Sequence, residues 1–172
     1  MTALHTFTSQ RRRKITWPVA LWSRIRPGLW MGGTDDEDVT SNALPNWETR
    51  EITPEDFDAV VTMYAWARPV DWGVEELRWG IMDSERENID MHSLRETVVW
   101  THRRWKAGKK VLVRCQAGMN RSGLVTALVL VRDGMEPGLA IHTVRSERQA
   151  DALFNDAFAD LIRETPAEFW RD

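Results

Sequence analysis

The sequence predicts an α/β domain, with a central, mostly parallel sheet flanked by helices. Three observations carry that expectation. Strand-like and helix-like stretches alternate along the chain. The run 109–114 (KKVLVR) is β-branched and apolar, as expected of a strand covered on both faces. The segment 123–131 (GLVTALVLV) is apolar all round, as expected of a central buried helix. At 172 residues and 42% hydrophobic content, the chain fits one domain of ordinary size with a sizeable core.

The elements follow in order. Residues 1–14 hold Arg11, Arg12, Arg13 and Lys14 and no acid, and an apolar patch follows over 15–22. Pro18 interrupts that patch, residues 23–26 (SRIR) close it early, and no small-residue cleavage site follows. Residues 1–23 therefore read as a loose basic arm, and 24–172 as a single domain. The stretch 24–33 (RIRPGLWMGG) reads as a short strand between tight turns. Residues 34–50 are acidic and turn-rich, and 35–38 (DDED) read as a solvated acidic loop. Thr53-Pro54-Glu55-Asp56 has the signature of a helix start, leading within one turn to a buried strand over 57–63. Residues 64–78 read as a surface excursion, and 78–82 as a short strand ending at Asp83. Ser93-Leu94-Arg95-Glu96 is a capping box, with Leu94, Val98 and Trp105 on one helical face and Gly108 as the stop. Gly134 ends the buried helix. Helices are expected over 138–148 and 151–163, the second turning Leu153, Phe154, Ala157, Phe158 and Leu161 inward.

Composition excludes several function classes. Lys and Arg number 23 against 26 Asp and Glu, for a net charge of −3, so no global basic field points to nucleic acid. One cysteine excludes an internal disulfide and any zinc site built on two thiolates. His5, His92, His102 and His142 show no metal-binding spacing, and no metal or cofactor is expected. No run of 18 apolar residues occurs, so no bilayer span is expected. A free thiol without an export signal favours a reducing, cytoplasmic compartment.

The chemistry gathers around that cysteine. Residues 111–123 (VLVRCQAGMNRSG) join the buried strand to the buried helix. A tight loop before a helix points backbone N–H groups into one hollow, and the helix N-terminus adds its positive dipole end. A phosphate dianion fits such a hollow, held by the amides of Gln116, Ala117, Gly118, Met119 and Asn120 and by Arg121. Gly118 allows a left-handed conformation inside the loop. Arg121 can grip two phosphate oxygens with its planar fork. Amide dipoles and Arg121 favour the Cys115 thiolate, which lies in line to attack phosphorus. Ser122 can donate to the sulfur and help it depart.

This loop resembles the phosphate loop of the cysteine-based protein phosphatases, specifically the small dual-specificity group of the protein-tyrosine phosphatase superfamily. Residues 25–33 resemble that group's first strand and 57–63 its next core strand. Val144-Arg145-Ser146-Glu147-Arg148, with Asn155 and Phe158, resemble its C-terminal helices, so the resemblance covers 24–163. It implies a phosphomonoesterase acting through a phosphocysteine intermediate on phosphotyrosine, and on phosphoserine or phosphothreonine in the dual-specificity mode. It also implies a general acid about thirty residues before the cysteine. Asp83 precedes Cys115 by 115 − 83 = 32 residues and follows an expected strand; Asp90, 25 residues upstream, is the competing candidate. One position departs from the family, which usually has His before the cysteine where this chain has Arg114.

Two alternatives stay open on the sequence. Arg114 keeps alive a phosphate- or phosphopeptide-binding module with little turnover, and the loop also suits an RNA 5′-triphosphatase, although an acidic chain offers RNA little. The loop interior has no lysine, which disfavours a phosphoinositide substrate. The expected partner is a phosphorylated protein or a small phosphomonoester, with no membrane and no nucleic acid; oligomeric state is not readable. Most of the ten tryptophans are expected in packing, with Trp66, Trp72 and Trp79 the candidates to wall a cleft. Arg145 and Arg148 are expected to pair with Glu147 and Asp151.

Overall fold

The computed structural model describes residues 14–18, 20–34 and 51–171. The acidic run 35–38, nearly all of the expected loop over 34–50, and Arg11, Arg12 and Arg13 lie outside the described residues.

Five strands are described: β1 (Trp22–Arg26), β2 (Leu29–Gly32), β3 (Ala59–Thr62), β4 (Glu75–Arg78) and β5 (Val111–Arg114). They form one sheet in the order β1-β2-β5-β3-β4. Only β1 and β2 pair antiparallel; the other three pairings are parallel. The strand expected over 24–33 is thus a hairpin, reversed at Pro27 and at Gly28, whose φ is +80. The expected strand over 78–82 is displaced to Glu75–Arg78. As an edge strand, β4 is only half-buried and lacks the apolar run of a central strand. The apolar residues that suggested the later strand, Trp79 and Ile81, leave the sheet and pack against the core.

A 3₁₀ turn, Arg86–Asn88, precedes five helices: α1 (Met91–Lys106), α2 (Arg121–Arg132), α3 (Pro137–Glu147), α4 (Asp156–Glu164) and α5 (Ala167–Arg171). Helix α1 starts before the expected capping box because Asp90 is its N-cap. The Asp90 carboxylate accepts from the amides of His92 at 3.3 Å and Ser93 at 3.2 Å, and from the Ser93 hydroxyl. Those bonds, the Ser93 hydroxyl's foremost, hold Asp90 below the usual carboxylate range. Helix α4 begins at Asp156, not 151, because Leu153 adopts a φ of +58, which no right-handed helix accommodates. Helix α5 was not expected; it seats Trp170 in the core with no exposed surface.

Strand alternation divides the core. Met31, Val61, Val113 and Cys115 face one side, where they meet the buried residues of all five helices around α2. Val60 and Leu112 face the other, under Ile52, Phe57, Val70 and Val74. Helix α2 is buried from Ser122 to Val131, as its all-round apolar sequence predicts. Strand β1 begins at Trp22; before it, Ile15 packs on the core and the Thr16 amide donates to Asp151 at 2.8 Å.

Candidate active site

The parallel strands β2, β3 and β5 all end on the same edge of the sheet, the edge where open α/β sheets hold ligands. Cys115 is the first residue past β5. Its amide donates to Gly32 O at 3.1 Å, and its sulfur is buried at 2% exposure. The loop then folds over the end of β2. Thr34 N donates to Gln116 O at 2.9 Å, and Gly118 takes a φ of +67. A Cβ at Gly118 would lie 2.3 Å from Gly32 C and 2.4 Å from Gly33 N, so glycine is demanded by conformation and by space.

The loop opens helix α2 directly. Asn120 is the N-cap by position, yet its side chain makes no capping bond. The N–H groups of the first turn are therefore not consumed by their own cap, which leaves them free to receive an anion. Ser122 Oγ lies 3.3 Å from Cys115 Sγ, within reach to donate to the sulfur. Arg121 donates through Nη1 to Ile81 O at 3.2 Å and carries its guanidinium 5.3 Å from the centre of the Tyr64 ring. Its Nε is buried with no hydrogen-bond partner among the described residues.

Asp83 sits on the exposed segment after β4, and two amides tie it to this loop. Asn120 Nδ2 donates to one carboxylate oxygen and Asn155 Nδ2 to the other, both at 2.8 Å. The structure thus brings Cys115, Arg121, Ser122 and Asp83 to one end of the sheet. It places Asp90 elsewhere, with its oxygens engaged at the start of α1. Met119 turns its side chain into the core at 1% exposure, so only its backbone can serve the loop. No group of three or more His, Cys, Asp or Glu among the described residues could hold a metal ion.

Human dual specificity protein phosphatase 22 is 29% identical to this chain over 127 residues, 73% of the chain and 64% of that protein. Over that stretch the chain is similar in sequence to a dual-specificity protein phosphatase. The mouse counterpart matches to the same extent, and the chain spans 64% of the length of these relatives. No protein-family model matches. Among solved structures, human DUSP28 superposes with a TM-score of 0.64 at 23% identity, over 84% of this chain and 91% of that one. The human tyrosine phosphatase-like serine/threonine/tyrosine-interacting protein gives 0.65 at 19%, over 88% and 98%. Both share the fold of this chain.

Against the dual-specificity pattern, the departure at Arg114 now has a physical account. Being the last residue of β5, Arg114 points to the sheet face opposite Cys115. It is buried there, donating to Thr62 Oγ1 at 2.9 Å, to Arg68 O at 2.6 Å and to Glu76 Oε1 at 3.2 Å. Glu76 also accepts from Thr62 Oγ1 at 2.7 Å and from Arg78 at 2.8 Å. Burial pushes the Glu76 carboxyl up, but the Thr62 hydroxyl and the two guanidiniums outweigh that and hold it below its ordinary value. Arg114 laces β5, β3 and β4 together from the face opposite the thiol.

Arg148 had a role the dual-specificity resemblance did not supply. Rather than pairing with an acid, it runs beneath the loop, donating to Gly118 O at 3.0 Å, Ala20 O at 2.7 Å and Ser23 Oγ at 3.0 Å. Burial lowers it to about 10, with the electrostatic influence of nearby Cys115 acting in the opposite sense. Its place was readable: Ala140, Val144 and Arg148, the C-cap of α3, fall four apart and are all buried. Arg145 donates to Ala152 O and Leu153 O, each at 3.0 Å. Of the three candidate cleft tryptophans, only Trp66 is tied to the site. It is 84% exposed and packs edge-on to Tyr64 at 5.8 Å. Trp72 is 97% exposed and Trp79 packs on the core.

Proposed function

We propose that this chain is a phosphomonoesterase of the protein-tyrosine and dual-specificity type, working through a phosphocysteine intermediate. The observation that carries the reading is the convergence of Cys115, Arg121 and Asp83 at one uncapped helix start. Cys115 attacks phosphorus in line, while Arg121 and the loop amides hold the charge on the equatorial oxygens. Asp83 gives its proton to the departing oxygen. As a carboxylate it then takes a proton from the water that hydrolyses the phosphocysteine, and Ser122 donates to the leaving sulfur.

The substrate of this reading is phosphotyrosine, with phosphoserine and phosphothreonine as the dual-specificity extension. An exposed Trp66 braced on Tyr64 beside Arg121 supports an aromatic or apolar contact from the substrate. No helix among the described residues is long and apolar enough to cross a membrane, and the proposed setting is the reducing cytoplasm.

The test is hydrolysis of p-nitrophenyl phosphate, without added metal, by wild type, Cys115→Ser, Asp83→Asn and Asp90→Asn. The expected result is turnover abolished by Cys115→Ser, reduced about 10²-fold or more by Asp83→Asn, and retained by Asp90→Asn. A larger loss at Asp90 would move the acid there. Reduced wild type that binds phosphate without turnover would replace the enzyme by a binding module.

A further inference from the structure

We infer that Asn120 and Asn155 are positioning residues that clamp Asp83 over the phosphate loop, an inference that rests on the phosphatase reading of the site. Asp83 belongs to a segment of irregular, largely exposed chain between β4 and the 3₁₀ turn. Regular structure in its own segment does not fix it. Its fixed points come from across the site: Asn120 Nδ2 on one carboxylate oxygen, Asn155 Nδ2 on the other, and Asn155 Nδ2 also on Ser84 O at 3.0 Å. The Arg121 bond to Ile81 O anchors the same segment two residues earlier.

Both amides are oriented by backbone groups. Asn120 Oδ1 accepts from Asn155 N at 3.0 Å, so its Nδ2 must turn to Asp83. Asn155 Oδ1 accepts from Ala157 N at 3.0 Å as the N-cap of α4, so its Nδ2 must turn the same way. A backbone N–H cannot donate to an amide nitrogen, so neither side chain can flip without losing a bond. The acid is thereby located relative to Asn120, the neighbour of the arginine that would grip phosphate. Asn120 serves as an anchor for the acid at the place where a helix would ordinarily spend a cap.

A general acid matters in proportion to the basicity of the oxygen it protonates. Loss of its placement therefore weakens turnover of poor leaving groups and spares good ones. Two variants separate this from folding. Asn155→Ser keeps a good N-cap for α4 while removing the amide donor, and Asn120→Leu keeps volume while removing the other. Each is assayed on phenyl phosphate and on 2,4-dinitrophenyl phosphate, beside wild type, Cys115→Ser, Asp83→Asn and the double variant Asp83→Asn/Asn155→Ser.

For Asn155→Ser the expected result is a kcat on phenyl phosphate reduced about tenfold or more, a kcat on the dinitrophenyl ester within about threefold of wild type, and KM little changed; Asn120→Leu should lose more on phenyl phosphate than on the dinitrophenyl ester. The double variant should be no slower than Asp83→Asn alone. Equal losses on both esters, or a loss that multiplies with that of Asp83→Asn, would overturn the clamp while leaving the phosphatase reading intact. Absence of Cys115-dependent turnover in wild type would overturn both.

Discussion

Replacing Arg114 by methionine tests whether the residue next to Cys115 serves the thiol or the sheet. Methionine fills the path of the arginine's apolar stem and deletes the guanidinium. Three described bonds go, to Thr62, Arg68 and Glu76, but Glu76 keeps Arg78 at 2.8 Å and Thr62 at 2.7 Å. Net hydrogen-bond values near 1 kcal/mol, offset by relief of burying a charge, put the loss at about 1–3 kcal/mol. Glu76→Ala removes the carboxylate from both guanidiniums and the Thr62 hydroxyl together. It should cost more, about 3–5 kcal/mol, the range for breaking a buried ion pair from one side. At about 2–4 °C per kcal/mol for a chain of this size, the melting temperatures should fall by about 2–12 °C and 6–20 °C.

Urea unfolding of both variants measures these losses. The pH dependence has a fixed sign. Glu76 lies below its ordinary 4.5 in the fold. Its contribution is complete above that pH and is lost as pH falls through the lowered folded value. Glu76→Gln should therefore flatten stability below pH 4.5 relative to wild type. Alkylation of Cys115 by iodoacetamide, compared at equal folded fraction, should run at the wild-type rate in Arg114→Met. A tenfold slower alkylation, or an Arg114 variant less stable than the Glu76→Ala one, would refute the assignment of Arg114 to the sheet.

Three further outcomes are expected. Gly118→Ala should abolish turnover and lower the melting temperature, because the added Cβ meets the backbone of Gly32 and Gly33 within 2.4 Å at a φ of +67. Arg148→Met should weaken inhibition by inorganic phosphate about tenfold, since the loop loses the brace at Gly118 O and a positive charge beneath it; an unchanged inhibition constant would count against the brace. Trp66→Ala should raise KM for an aryl phosphate severalfold and leave that for an alkyl phosphate alone, measured by steady-state kinetics.

What the sequence made legible follows from where chemistry and periodicity coincide. Strand β5 and helix α2 were plain because both are buried on all sides, and the loop between them was plain because its glycine and arginine have few substitutes. The edge strand β4 was misplaced because half-exposed residues carry no apolar signature. Asp90 and Ser93 both suit a helix start, and the chain uses the earlier one with the later reaching back to it. Arg114 was visible as a departure, but its direction required knowing that β5 ends there and which face Cys115 takes. The amides on Asp83 come from residues 37 and 72 positions away, a pairing no local pattern encodes.

Arg148 binds the carbonyl of Ala20 across 128 residues of chain, and Thr16 meets Asp151 across 135. The floor of the phosphate loop is therefore closed by a contact between segments far apart in the chain. Such contacts repay their loop-closure cost only after nearly everything between them is ordered. The thiol and its helix can be in place while the cradle is still open. In refolding, recovery of helical signal should accordingly run ahead of recovery of turnover, and enzymatic rate becomes a readout of the last long-range step of assembly.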